Sequence, residues 1–86
     1  MAKVVIYSKT YCPYCVRAKN LFDGKGVTYD EIMVDSDPAL FNELKQKSGM
    51  LTVPQIFIDD KLVGGFTELA ELEANGELDP LLTNTV

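Results

Sequence analysis

Apolar side chains fall along the chain in short blocks whose spacing changes character from one block to the next. Val4-Val5-Ile6-Tyr7 is continuous, β-branched and apolar, the pattern of a strand buried on both faces, and it is expected at the centre of a sheet. From Pro13 the spacing lengthens. Val16, Ala18, Leu21 and Phe22 give one face of a helix that Pro13 opens in its first turn and Lys25-Gly26 ends. The stretch 27–34 contains a second strand of mixed polarity, closed by Asp35-Ser36-Asp37-Pro38. An acidic cap before a proline starts a second helix. It turns Leu40, Phe41 and Leu44 inward and places Lys45 and Lys47 ahead of Gly49, where the helix dipole favours cations. Gln55-Ile56-Phe57-Ile58 and Lys61-Leu62-Val63 read as a tight hairpin turning at Asp59-Asp60 and ended by Gly64-Gly65. Thr67 is the expected cap of a third helix, with Glu68 in its first turn, Leu69 and Leu72 inward, and Asn75-Gly76 at its close. Pro80-Leu81-Leu82 is expected to pack its leucines before the chain frays from Thr83 to Val86.

The order is β-α-β-α-β-β-α. The first β-α-β requires a parallel pair with a right-handed crossover, and the last two strands are too close in sequence to be other than antiparallel. The expected fold is therefore α/β, a mixed four-stranded sheet flanked by helices. No linker, repeat or low-complexity segment interrupts it, so residues 1–86 are expected to form one domain. A domain of that size buries about 60–65% of its unfolded surface, which leaves little room for a large enclosed cavity.

Thirteen acidic against eight basic residues give a net charge of −5, which argues against nucleic acid as a partner, since phosphate recognition depends on clustered Lys and Arg. No run of about eighteen apolar residues could span a membrane, and Val4–Tyr7 is too short for a signal-peptide core, so a cytoplasmic location is expected. Two cysteines are too few for a disulfide scaffold, and they stand three apart as Cys12-Pro13-Tyr14-Cys15.

That spacing carries chemistry. The residue before proline is pushed into extended geometry, so Cys12 ends the loop while Pro13 begins the helix. Unpaired N–H groups and the positive end of the helix dipole then favour a thiolate at Cys12, and Lys9 adds a nearby cation. Cys15, at i+3, shares the helix face and can reach Cys12 from inside the first turn. Cys12 is the expected attacking thiol and the shielded Cys15 the resolving one. A structural staple closing so small a ring would contribute only about 2 kcal/mol. A zinc site would need two more ligands, and the chain has no histidine and no other cysteine. Reversible thiol–disulfide exchange is the stronger reading, with no metal.

A second constellation is Thr52-Val53-Pro54, followed beyond the hairpin by Gly64-Gly65-Phe66-Thr67. Base rates alone place Val53-Pro54 in trans. Gly64-Gly65 is either a plain turn or a close backbone approach, and free N–H groups beyond it can hold a carboxylate.

Cys12-Pro13-Tyr14-Cys15 after Lys9, Thr52-Val53-Pro54 and Gly64-Gly65 together resemble the dithiol glutaredoxins over nearly the whole chain. Val53-Pro54-Gln55-Ile56-Phe57-Ile58 and Leu78-Asp79-Pro80-Leu81-Leu82 are most similar to the bacterial glutaredoxin 3 type. The resemblance implies the thioredoxin fold, Cys12 as nucleophile, Cys15 as resolving thiol, Pro54 in cis, and glutathione as reducing co-substrate with no permanently bound cofactor. Carried over by position, Val53 and its neighbours Thr52 and Pro54 meet the cysteinyl unit of glutathione by strand addition, and Lys9 and Tyr14 meet its glycine end. The N–H groups of Phe66 and Thr67, beside Gly65, hold the γ-glutamyl carboxylate. Phe41 stands where many relatives carry Gln or Arg, which leaves the glycine carboxylate to Lys9. Thr67 followed by Glu68 stands where some relatives place an aspartate. Because glutathione is an anion, Lys9, Arg17 and Lys19 near the pair matter more than the net charge.

The implied activity is reduction of protein–glutathione mixed disulfides and protein disulfides by a monomer, with ribonucleotide reductase among the admissible protein partners. Three alternatives stay open at this point: a ribonucleotide-reductase reductant recharged by thioredoxin reductase, towards which Gly65-Phe66 leans, an iron–sulfur carrier using Cys12 and glutathione across a dimer, and a pure interaction module.

Overall fold

The computed structural model describes residues 2–83. Along them run β1 (Val4–Ser8), α1 (Pro13–Gly24), β2 (Asp30–Met33), α2 (Pro38–Ser48), β3 (Gln55–Ile58), β4 (Lys61–Gly64), α3 (Phe66–Ala74) and α4 (Leu78–Leu82). The strands form one sheet in the order β2-β1-β3-β4. β1 runs parallel to β2 and antiparallel to β3, and β3 runs antiparallel to β4. This is the mixed, helix-flanked sheet of the thioredoxin fold, with β1 interior as its unbroken apolar run requires.

Alternation along β1 sorts its side chains onto two faces. Val4 and Ile6, with Ile56 and Ile58 of β3, pack against Ala18 and Phe22 of α1, Leu69 of α3, and Leu78 and Leu82 of α4. On the opposite face Phe57 meets Val34 and Leu44, with Val5, Tyr7, Leu40, Phe41 and Val53 partly buried around them. Burial of each large apolar side chain stabilises the fold by about 1.5–3 kcal/mol, so the first and larger cluster dominates.

The expected punctuation holds at several ends. Asp37 caps α2, its Oδ1 accepting the Leu40 N–H at 3.1 Å, with Pro38 at the first helical position. α1 ends beyond Lys25 with Gly26 at φ 69°, the Gly26 N–H donating to Asp23 O and the Val27 N–H to Phe22 O. That left-handed residue lets the chain reverse while satisfying two helical carbonyls. Asp59 and Asp60 turn the hairpin with φ 51° and 66°, the conformation whose twist matches a two-residue connection. A bulge follows, since Ile56 pairs with Gly64 while Phe57 pairs with Leu62.

Two expectations need correction. α3 begins at Phe66 with Gly65 as its cap residue, not at a Thr67 cap. The capping side chain is Glu68, whose Oε1 accepts the Gly65 N–H at 2.8 Å, so the signal lay three residues beyond the true cap. The leucines after Gly76 also form a short helix of their own, α4, with Pro80 in its first turn, where no N–H is needed. The fraying expected from Thr83 onward concerns mainly 84–86, which lie outside the described residues. Thr83 itself closes α4, its N–H and Oγ1 both donating to Asp79 O at 3.0 Å.

Candidate active site

β1 delivers the chain to the site through a short loop. The Thr10 N–H donates to Asp35 Oδ2 at 3.0 Å, tying this loop to the β2–α2 connection and holding the Asp35 carboxyl below its usual range. Tyr11 adopts φ 58° and is 98% exposed. Cys12 then returns to extended geometry, φ −113° and ψ 102°, as the cap residue of α1. Its sulfur takes the place usually filled by a Ser or Asp oxygen and accepts the Cys15 N–H at 3.2 Å. The expected placement of Cys12 at the helix mouth is therefore observed, and its cause is local: an extended residue before proline with a side chain that can cap.

Both cysteines are free thiols. They occupy different environments one helical turn apart. Cys12 is half-buried, whereas Cys15 is 1% exposed. Burial pushes the Cys15 thiol up to about 11, and the neighbouring Cys12 sulfur pushes the same way. The backbone amide of Lys9 and the Ser8 hydroxyl act in the opposite sense. At neutral pH Cys15 is thus a protonated, shielded thiol.

The Val53–Pro54 peptide bond is cis, as the resemblance implies and against the trans geometry that base rates alone assign. Val53 O lies 3.9 Å from the Cys12 sulfur. Gln55, fully buried, shapes this loop, its Nε2 donating to Met50 O at 3.1 Å and Thr52 O at 3.0 Å. An open groove of about 180 Å³ brings together Tyr14, Thr52, Val53, Pro54, Gly65, Phe66 and Thr67. Gly64, one residue before Gly65, is required by its backbone conformation. Its φ is 124°, and a Cβ there would stand 2.6 Å from Glu68 Oε1. Gly65 lies close to Pro54 O, at 3.5 Å from where its Cβ would be. Glu68 is engaged at Gly65, no side chain caps α3 from Gly65, and Phe66 and Thr67 at the start of α3 line the groove.

Lys9 has a different setting. It lines a second groove of about 490 Å³ beside Cys12, together with Cys15, Val16, Lys19, Glu31 and Met33. Its Nζ sits 4.5 Å above the Phe41 ring, which Lys45 also approaches to 4.2 Å. Lys19 is paired with Glu31 at 2.8 Å, and the Arg17 guanidinium lies 5.3 Å from the Tyr14 ring. The three cations near the pair are thus engaged with three different partners. Ser8, Asp35 and Gln55 were absent from the candidate residues. Ser8 and Gln55 stand at apolar-patterned strand positions, and that interruption of the pattern was their only signal.

Residues 4–63 match the glutaredoxin family model. The chain belongs to the glutaredoxin family. It is 51% identical over 82 residues to glutaredoxin 3 of Escherichia coli strain K12, covering 95% of this chain and 99% of that protein. It is also 51% identical over 83 residues to a glutaredoxin of Pseudomonas aeruginosa, covering 96% and 99%. Among solved structures, the complex of buckwheat glutaredoxin with glutathione superposes with a TM-score of 0.91 at 41% identity, over 95% of this chain and 77% of that one. The glutaredoxin assignment makes the chain a thiol–disulfide oxidoreductase. No helix among the described residues is long and apolar enough to cross a membrane.

Proposed function

We propose that this glutaredoxin uses glutathione to reduce protein–glutathione mixed disulfides and protein disulfides, as a monomeric single domain acting in the cytoplasm, with ribonucleotide reductase among the protein substrates it can serve. The observation that carries the reading is the asymmetry of the two thiols: Cys12 sits at the mouth of α1 under a backbone amide, and Cys15 is sealed beneath it.

Cys12 attacks the glutathionyl sulfur of a mixed disulfide, the substrate leaves as a thiol, and Cys12 carries glutathione. A second glutathione reduces that bond and departs as glutathione disulfide. With a protein disulfide, Cys12 first forms a mixed disulfide with the substrate. Cys15 then attacks Cys12, releasing reduced substrate and leaving a Cys12–Cys15 bond for two glutathiones to reduce. The groove beside Cys12 suits the tripeptide. Val53 offers backbone groups for strand addition, with Thr52 and Pro54 on either side, and the start of α3 at Phe66 and Thr67, beside Gly65, offers N–H groups to the γ-glutamyl carboxylate. Tyr14 flanks the groove, and Lys9, steadied on Phe41 next to Cys12, provides charge for the glycine carboxylate.

The test is a turnover assay coupled to glutathione reductase on a small glutathione mixed disulfide. Cys15→Ser retains activity, whereas Cys12→Ser loses at least about a hundredfold. An active Cys12→Ser protein overturns the scheme. Turnover with thioredoxin reductase but none with glutathione replaces glutathione as the reductant.

A further inference from the structure

The fully buried Ser8 has no role in the scheme above. Along β1 the residues Val4, Ile6 and Ser8 alternate onto the same face, and all three are 2% exposed or less. α1 runs back over that face, presenting Cys15, Ala18 and Phe22 as its buried residues. From Cys15 to Phe22 the helix rises about 10.5 Å and from Ser8 to Val4 the strand spans about 13 Å, so the buried residues of the two elements follow one another in the same order. The reversal of direction therefore orders them in rows, Phe22 towards Val4, Ala18 towards Ile6, and Cys15 towards Ser8. The first two rows are apolar packing in the main core. The third row pairs a hydroxyl with a thiol.

Ser8 Oγ makes no hydrogen bond of ordinary geometry in the resting dithiol. A valine there would continue the face that Val4 and Ile6 begin, and a buried hydroxyl without a partner lowers stability. The hydroxyl is thus poorly explained by packing. The neighbouring polar group within its reach is the Cys15 sulfur, whose charged form a donated hydroxyl proton would favour. The other ionisable groups around Cys15 are Cys12 on its own helix, Lys19 of α1 with its partner Glu31 of β2, and Lys9 of the preceding loop.

We propose that Ser8 is a positioning residue for the second half of the exchange cycle: its buried hydroxyl donates a hydrogen bond to the Cys15 sulfur as that sulfur gives up its proton, and so sets how fast the internal disulfide closes. This rests on the reading of Cys15 as the resolving thiol. In the step, the Cys15 sulfur forms a bond to the Cys12 sulfur while the bond from Cys12 to the departing sulfur breaks. The departing thiolate takes up, through water, the proton Cys15 released. Ser8 keeps its own proton, and mixed disulfide plus thiol become internal disulfide plus thiol with no outside oxidant.

Two measurements test it on the full chain. In the first, Cys12 is loaded with glutathione, and capture and closure are timed by acid quenching and mass spectrometry across pH 6–10. Ser8→Ala and Ser8→Val lower the ratio of closure rate to capture rate about tenfold at neutral pH, the factor that one pKa unit carries, and move the closure profile to higher pH. Ser8→Thr keeps the hydroxyl and restores both. In the second, Cys15 is titrated by thiolate absorbance in a Cys12→Ser background, where Ser8→Val shifts the midpoint upward and Ser8→Thr does not. Equal closure by the Thr and Val variants, which share a shape, overturns the role of Ser8 and leaves the resolving reading of Cys15 standing. If the unaltered protein captures glutathione and never closes the internal bond, the reading of Cys15 fails and the proposal falls with it.

Discussion

The two ends of α1 are built by different means. At its N-terminus a cysteine sulfur takes the capping position, the adjacent loop is held by one hydrogen bond from Thr10 to Asp35, and a hydroxyl at Ser8 is buried without a partner. At its C-terminus Phe22 is fully buried, its ring 6.1 Å from that of Tyr29, and the chain turns through Gly26 into a closed set of backbone hydrogen bonds. Lys25 then bridges to Asp79 at 2.7 Å and Glu73 at 2.8 Å, joining α1 to α4 and α3. One end is stitched by packing and charge, and the other keeps reactive groups at a cost in stability. The contrast indicates that exchange chemistry is carried by a rigid helix whose anchoring is done far from the thiols.

The comparison can be broken in several places. Phe22→Ala has the largest expected effect: about 3–5 kcal/mol lost in a urea titration, with the exchange rate of the remaining folded molecules kept. A loss of exchange in proportion would mean the ends are coupled. Gly64→Ala probes the reactive side, where its φ of 124° and the 2.6 Å approach to Glu68 Oε1 would dislodge that carboxylate from the Gly65 N–H. It should cost about 1–3 kcal/mol and raise the KM for glutathione more than it lowers kcat.

The next effect is a pH dependence at Cys15. Its thiol sits at about 11 in the fold against an ordinary 9.0, because burial disfavours the thiolate. The unfolded chain gives up this proton first, so stability is complete below about pH 9 and falls by about 1.4 kcal/mol per pH unit as pH rises towards 11. Cys15→Ser flattens that part of the profile, and an unchanged slope would place the alkaline loss elsewhere. Lys25→Ala should have the smallest effect, visible at low salt and fading at high salt, because its ion pairs are solvent-accessible. If it exceeds Gly64→Ala, charge rather than packing anchors the far end.

Much of this was legible in the residues themselves. The unbroken run at Val4–Tyr7 placed β1 inside the sheet, Asp37-Pro38 marked the start of α2, and Cys12-Pro13 set the sulfur at the helix mouth. These features are local, and local chemistry is what a sequence displays. α4 escaped because five residues, Leu78–Leu82, are too few to show a helical period. The start of α3 was misplaced because a glycine gives no capping side chain, and the cap came from Glu68. The seat of Lys9 over the Phe41 ring of α2 was not legible, because the two residues are brought together only by the fold. Ser8 and Gln55 take their meaning from what lies across the sheet or along the next loop, which spacing in one dimension does not report.

The antiparallel pairing of β1 with β3 has a consequence for the growing chain. It sets Tyr7 beside Gln55, and so brings Cys12 to Val53, 41 positions later. Synthesis therefore delivers Cys12 well before Val53, the backbone that faces it, and the start of α3 comes later still. Until then Cys12 lacks the walls of its groove. The surface that surrounds the thiol is thus the last part of the site to be made.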